Sequence, residues 1–149
     1  MSLQEKVMTA LKEAMKAKDQ TALTALRAVK SAILLAQTES GASDSLTEEQ
    51  ELKLLQKLVK QRKDSAAIYL EQGRKDLAAP EMEEAEIINQ FLPEALSDEE
   101  IEKVVINTIE STGAEGMKDM GKVMGIVSKE LAGRADGKTI SNIVRGKLA

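Results

Sequence analysis

The chain contains no cysteine and no histidine in its 149 residues. Thiolate nucleophiles, Ser-His-Asp triads, disulfides and most zinc sites are excluded by that alone. Composition leaves open only a carboxylate, lysine, serine or threonine mechanism, and any of these would need a specific geometry. Aromatics are almost absent: Tyr69 and Phe91 are too few to build a stacking platform for single-stranded nucleic acid. Long apolar runs are missing too. Nothing approaches the roughly 20 consecutive apolar residues of a membrane span, and MSLQEKVMTALKEAMKAKD is charged throughout where a signal peptide would be apolar. A cytoplasmic protein without a membrane partner is expected.

What is present is an ordinary globular composition, 42% hydrophobic and 31% charged, enough for one domain or two small ones. The net charge of −4 hides a strong asymmetry. Residues 1–75 hold thirteen bases against ten acids, 76–102 hold ten acids and no base, and 117–149 hold seven bases against three acids. The acidic pI of about 5.1 therefore does not argue against an anionic partner, because binding follows the local potential of a patch.

Helical signals recur along the chain. SLQE (Ser2, Glu5) is a capping box, and Leu3, Val7, Leu11 and Met15 follow it at a spacing of four, predicting a helix to about Lys18. Asp19 can cap a second helix with Leu23, Leu26, Val29, Ile33 and Ala36 on one face, ended by SGASDS at Ser40–Ser45. TEEQ (Thr47, Gln50) opens a long helix with Leu52, Leu55, Leu58, Val59, Ala66 and Tyr69 inward, stopped by Gly73. A fourth helix runs to Phe91, its first regular turn delayed to about residue 80 by Pro80. Pro93 ends it, and SDEE (Ser97, Glu100) is a third capping box. Ile101, Val104, Val105 and Thr108 begin a helix closed by Gly113, and two more are predicted at about 117–132 and 137–148. No segment shows strand alternation. The expectation is all-α: an N-terminal antiparallel four-helix unit over 1–93 and a three-helix unit over 94–149.

The segment DMGKVMGIVSKELAGRADGKTISNIV raises a question of its own. Its apolar residues repeat like a helix, yet Gly121 and Gly125 lie inside it, and a mid-helix glycine costs roughly 0.8–1 kcal/mol against alanine. At about 100° per residue, Gly125, Ser128 and Ala132 fall within about 40° of Gly121 and form a stripe of small residues. Lys118, Lys122 and Lys129 run beside that stripe, while Met120, Val123, Met124, Val127 and Leu131 cluster on the far side. Three occupants suit such a stripe: a close helix neighbour of the same domain, a sugar-phosphate backbone met by the lysines, or a helix of a partner protein. Gly133 suits the residue just past a helix end, and Asp136 suits a cap for the next helix. Lys138, Asn142 and Arg145 then share a face. A helix start flanked by Arg134 and Lys138 could take a phosphate, but the Asp136 carboxylate would occupy the free amides and repel it.

AGRADGKT also fits a relaxed P-loop pattern. A P-loop follows a strand; here a helix precedes it, so nucleotide binding is set aside. On the third helix Lys57, Lys60, Arg62 and Lys63 precede the acidic residues Glu81, Glu83, Glu84 and Glu86 across a hairpin. Cross-helix ion pairs are the plain reading. The alternative gives that basic edge, with Arg27 and Lys30, to an anionic partner. The carboxylates lie in an open run without the apolar enclosure that shifts a pKa, so neither acid-base nor metal chemistry is assigned to them.

Taken in order, LTALRAVKSAI, KQRKDSAAIY, GRKDLA, FLPEALSDEE and DMGKVMG…GRADGKTISNIVRGKL resemble the YqeY-like bacterial proteins over essentially the whole chain. The last segment is also similar to the C-terminal tail of the B subunit of the tRNA-dependent amidotransferase, which converts mischarged Glu-tRNA or Asp-tRNA to the Gln or Asn form. Pro80 stands where that pattern has lysine, and Phe91 where it has tyrosine. The resemblance implies an all-α two-unit fold whose tail helps hold tRNA; related domains are appended to some glutaminyl-tRNA synthetases. It does not imply catalysis. The amidotransferase's glutaminase is a different subunit, and its kinase-like site lies in a part of the B subunit with no counterpart in this sequence. A carbon-nitrogen ligase activity with glutamine as amido-N-donor would be a label inherited from that complex.

The positions matching the family pattern are Gly121, Lys122, Met124 and Gly125, then Gly133, Ala135, Asp136 and Asn142, of which Met124 and Ala135 read as packing. Charge and face, beyond the family pattern, assign Lys118, Lys122, Lys129, Arg134, Lys138 and Arg145 to phosphate contact, with Gly121, Gly125 and Ser128 admitting close approach. The expected function is that of a non-catalytic tRNA-binding accessory protein using no cofactor and no metal, with no DNA partner. The alternative is an adaptor that docks on an amidotransferase or aminoacyl-tRNA synthetase.

Overall fold

The computed structural model describes residues 2–39 and 46–149. Every regular element among them is a helix: α1 Leu3–Ala17, α2 Gln20–Glu39, α3 Glu48–Glu71, α4 Lys75–Asn89, α5 Asp98–Thr112, α6 Met120–Glu130 and α7 Gly137–Leu148, with a 3-10 turn at Met117–Asp119 before α6. The fold class is all-α. Two compact units are formed, Met1–Leu92 and Pro93–Ala149, each around its own apolar cluster. The predicted stop of α2 at Ser40–Ser45 lies outside the described residues.

Local chemistry sets most helix starts. Ser2 Oγ accepts from the Glu5 amide at 3.2 Å and Glu5 returns a carboxylate to the Ser2 amide at 3.3 Å. Thr47 and Gln50 make the same reciprocal pair at 3.2 and 2.9 Å. Asp19 caps α2 by accepting from the Ala22 amide at 3.1 Å. The third predicted box is half built: Ser97 Oγ accepts from the Glu100 amide at 3.2 Å, but among the described residues Glu100 returns no bond to the Ser97 amide. One orphan donor is satisfied there instead of two.

In unit 1 the buried stripes of α1 (Leu3, Val7, Leu11, Ala14) and α2 (Leu23, Leu26, Val29, Ile33) meet Leu55, Leu58 and Val59 of α3 and Ala85 and Ile88 of α4. Met15, predicted inward, is 53% exposed, and Ala14 is buried instead. Each spacing of four drifts about 40° around a 3.6-residue helix, so by the third step the stripe has slipped off the core. α3 and α4 form an antiparallel hairpin through Gln72–Arg74, with Gly73 at φ 72°. The α4 helix starts at Lys75, earlier than expected, and carries Pro80 inside it. Proline there removes the hydrogen bond to the Asp76 carbonyl. Asp76 and Pro80 are both exposed, so water can serve that carbonyl, while Ala78, Ala85 and Ile88 on either side stay buried and hold the helical path.

Unit 2 packs Ile101 and Val105 of α5, Val123 and Val127 of α6, Leu131, and Ile140, Val144 and Leu148 of α7 into one cluster. Gly113 closes α5 at φ 67°. Lys147 Nζ reaches Glu102 Oε1 at 2.6 Å and ties the end of α7 to the start of α5.

Candidate nucleic-acid interface

The α6 helix is reached through a tight turn. Gly116 adopts φ 128°, a backbone that only glycine takes readily, and Asp119 Oδ2 accepts from the Glu115 amide at 2.9 Å. Asp119 therefore braces the turn and makes no side-chain cap on α6. Lys118 sits in the 3-10 turn, so the helical segment expected from 117 becomes regular only at Met120. From there Val123 and Val127 are buried and Met120 and Met124 half-buried. The opposite side is open to solvent.

Gly121 and Gly125 are exposed, and apart from the neighbouring backbone of their own helix no described atom lies within 4 Å of where a Cβ would stand on either. This removes the first of the three occupants: no helix of the same domain seats on the small-residue stripe. Ser128, the third member, is half-buried. Lys118, Lys122 and Lys129 are exposed, and none makes an ion pair with a described residue. The result is a bare strip of backbone edged by three free cations. Ile126, 41% exposed, lies among them, one turn from both Lys122 and Lys129. Sequence reasoning passed over it, although its helical position, away from the Val123 and Val127 face, was the available signal.

The remaining cations divide. Lys138 and Arg145 are exposed on α7, on the face opposite Ile140, Val144 and Leu148, with Asn142 between them. Arg134 serves the fold, since its Nε donates to the Glu94 carbonyl at 3.3 Å and its own carbonyl accepts from the Leu96 amide at 2.9 Å. These bonds pin the segment that enters α5, and nothing in the local sequence announces a partner forty residues away. Gly133 takes φ 81° just past α6. Asp136 Oδ1 accepts from the Thr139 amide at 2.6 Å, and that hydrogen bond holds its carboxyl below the ordinary aspartate value against the opposing effect of burial. The start of α7 is thus filled by its own carboxylate and carries no anion site.

Glu83 and Glu86 line an open depression of about 430 Å³ with Asp19, Thr21, Ile87 and Gln90. Glu84 is half-buried, and burial, with Glu81 beside it, raises its pKa despite Arg62. Among the described residues no group of acids is arranged to hold a metal ion, and no helix is long and apolar enough to cross a membrane.

Residues 4–148 match the family described as Yqey-like protein. The chain belongs to that family. Related proteins extend the picture of these Yqey-like chains. The sequence is 42% identical over 79 residues to a glutamyl-tRNA(Gln) amidotransferase subunit of Thermococcus gammatolerans, covering 50% of this chain but 13% of that relative. It is 37% identical over 124 residues to altered inheritance of mitochondria protein 41, mitochondrial, of Clavispora lusitaniae, covering 81% of this chain and 69% of the relative. The same-named protein of Vanderwaltozyma polyspora is 36% identical over 118 residues, covering 74% and 62%. The Yqey-like chain thus spans only a small part of the amidotransferase protein and about two thirds of the mitochondrial relatives.

Proposed function

We propose that this Yqey-like protein is a non-catalytic accessory factor that holds tRNA through the α6 edge of unit 2. The carrying observation is the pairing of Gly121 and Gly125, open to solvent with no described atom near their faces, with three exposed lysines that have no described acidic partner. Such an edge meets phosphates and riboses without reading bases, as recognition of a structured RNA by its outer shape requires. The similarity to a protein named for glutamyl-tRNA(Gln) supports tRNA as the RNA. A cytoplasmic setting belongs to the same reading. The assigned contacts are Lys118, Lys122 and Lys129, with Lys138 and Arg145 as an outer pair on α7; Arg134 contributes less because Glu94 already engages it.

The test is a fluorescence-anisotropy titration of bulk tRNA at several salt concentrations, with the wild-type chain and a Lys118/Lys122/Lys129→Glu variant. The three α6-edge contacts alone predict at least roughly a 40-fold loss of affinity between about 50 and 200 mM salt. The variant should bind too weakly to saturate. Wild-type binding that ignores salt, or a variant that binds as well as wild type, would rule this reading out.

A second reading is favoured by Ile126, apolar, 41% exposed and one turn from both Lys122 and Lys129: an adaptor that seats a helix of an amidotransferase or synthetase on the stripe. It predicts a complex that survives ribonuclease treatment.

A further inference from the structure

Unit 1 carries a feature that the RNA reading leaves unused. The hairpin of α1 and α2 turns at Lys18 and Asp19, which brings the start of α1 beside the second half of α2. Between them on the solvent side lies a groove of about 190 Å³ lined by Gln4, Val7, Met8, Lys30, Ile33 and Leu34, mostly by apolar atoms. Its floor, Val7 and Ile33, is part of the core. Its walls are not: Met8 is 38% and Leu34 50% exposed. Met15, two turns along α1 from Met8, continues the apolar line.

The volume is below the roughly 300 Å³ at which small-molecule pockets begin. It suits one large apolar side chain. Methionines at the wall favour such a guest, since their unbranched, polarizable side chains adapt to irregular partners. The rim is cationic: Lys30 lines the groove, Arg27 and Lys12 stand one turn from Lys30 and Met8, and all three are exposed. None has an ion pair with a described residue. Glu5, the acid nearest on α1, is engaged with the Ser2 amide.

We propose that the α1–α2 groove is the docking site for an acidic amphipathic helix of a partner protein. One apolar side chain of that helix enters between Met8 and Leu34, its neighbours at i+3, i+4 and i+7 run along the groove toward Met15, and flanking carboxylates meet Lys12, Arg27 and Lys30. RNA matches the rim but not the apolar lining. An anionic membrane would need a broad convex surface, whereas this is a narrow cleft. The proposal stands on unit 1 alone and is independent of the reading of α6.

The experiment titrates the full chain with a labelled synthetic helix bearing leucines at i, i+3, i+4 and i+7 and glutamates at the flanking positions, beside a version with lysines for glutamates. Methyl NMR of Met8, Met15, Ile33 and Leu34 gives the location. Saturable binding of the glutamate helix with shifts centred on these methyls is expected, and Lys30→Glu should weaken it by about tenfold. Lys30 is exposed, so that variant folds; Leu34→Ser tests the apolar wall separately and should also weaken binding. Equal binding of the lysine helix, shifts centred elsewhere, or no binding would overturn the proposal. So would the same methyls shifting with protein concentration alone, which would make a second copy the occupant, or with anionic vesicles but not with the glutamate helix, which would make it a membrane.

Discussion

The helices α3 in unit 1 and α6 in unit 2 are similarly rich in lysine and differ in how much of that charge the fold pairs. On α3, Lys53 pairs with Glu49 at 3.2 Å, Lys60 with Asp64 at 2.7 Å, and Arg62 with Glu84 of α4 at 3.8 Å. The first two are one-turn pairs within the helix; only the third crosses the hairpin. On the α6 edge, Lys118, Lys122 and Lys129 have no described acid to pair with, and the stripe beside them is bare backbone. A count of bases would rank α3, with five, above α6, with two. What separates them is that the fold pairs three of the five bases of α3, leaving Lys57 and Lys63, but none of the three lysines on the α6 edge, where they adjoin bare backbone.

The largest expected effect breaks the comparison directly. If free charge and not total charge decides RNA affinity, Lys118/Lys122/Lys129→Glu should abolish saturable tRNA binding even at low salt. The Lys53/Lys60→Glu variant, which reverses only lysines that the fold has paired, should lose less than about threefold, the effect of net charge alone. Anisotropy titrations of both variants decide it, and equal losses would mean that the whole chain binds as a diffuse polycation.

Next in size is the half-buried ion pair of α3 with α4. The Arg62 and Glu84 side chains are 16% and 14% exposed, their contact is loose at 3.8 Å, and Arg62 Nε is buried without a hydrogen-bond partner. Arg62 is also held by the Leu58 carbonyl through its Nη1 at 3.3 Å. Removing one partner strands the other charge, so Glu84→Ala should cost about 2 kcal/mol in urea unfolding, whereas Arg62→Leu with Glu84→Leu should be near neutral. Burial raises the Glu84 pKa, so its contribution is greatest below the ordinary glutamate value and declines as pH rises through the raised one.

Asp136 supplies the opposite sign in unit 2. The Thr139 amide holds its pKa down, so its contribution is present above the ordinary aspartate value and fades as pH falls through the lowered one. Asp136→Ala should cost about 1 kcal/mol at neutral pH, seen as faster exchange of the α7 amides. That loss should shrink on acidification, while the wild-type Glu84 contribution grows.

Much of this architecture was legible because its causes are local. Ser2, Asp19, Thr47 and Asp136 each cap within three residues, and Gly113 and Gly133 take the left-handed backbone where a helix must end. The corrections have different causes, packing for the first and local geometry for the other two. Pro80 is tolerated because the buried residues around it hold α4 in place, Ala14 replaces Met15 because the stripe drifts, and Glu100 leaves its box half built. At the candidate site the lysine edge could be read from helical spacing. Its exposure could not, because it depends on which elements pack against α6. Nor could the engagement of Arg134 with Glu94, forty residues away in sequence.

The smallest expected effect sharpens the meaning of the α6 glycines. Gly125 lies in the middle of α6 with open space where a Cβ would stand, so Gly125→Ala should raise stability by about 0.8 kcal/mol through helix propensity. Gly121, in the first turn, should gain less. A glycine that weakens its own helix while touching nothing in the fold is explained if a ligand backbone comes within a methyl's width of it. The prediction is therefore paired: Gly125→Ala melts at a higher temperature and binds tRNA several-fold more weakly, with its salt dependence unchanged because no charge is lost. Higher stability with unaltered tRNA affinity would separate the stripe from the lysines, leaving the cations as the RNA contact and the bare backbone for the helix of a partner protein.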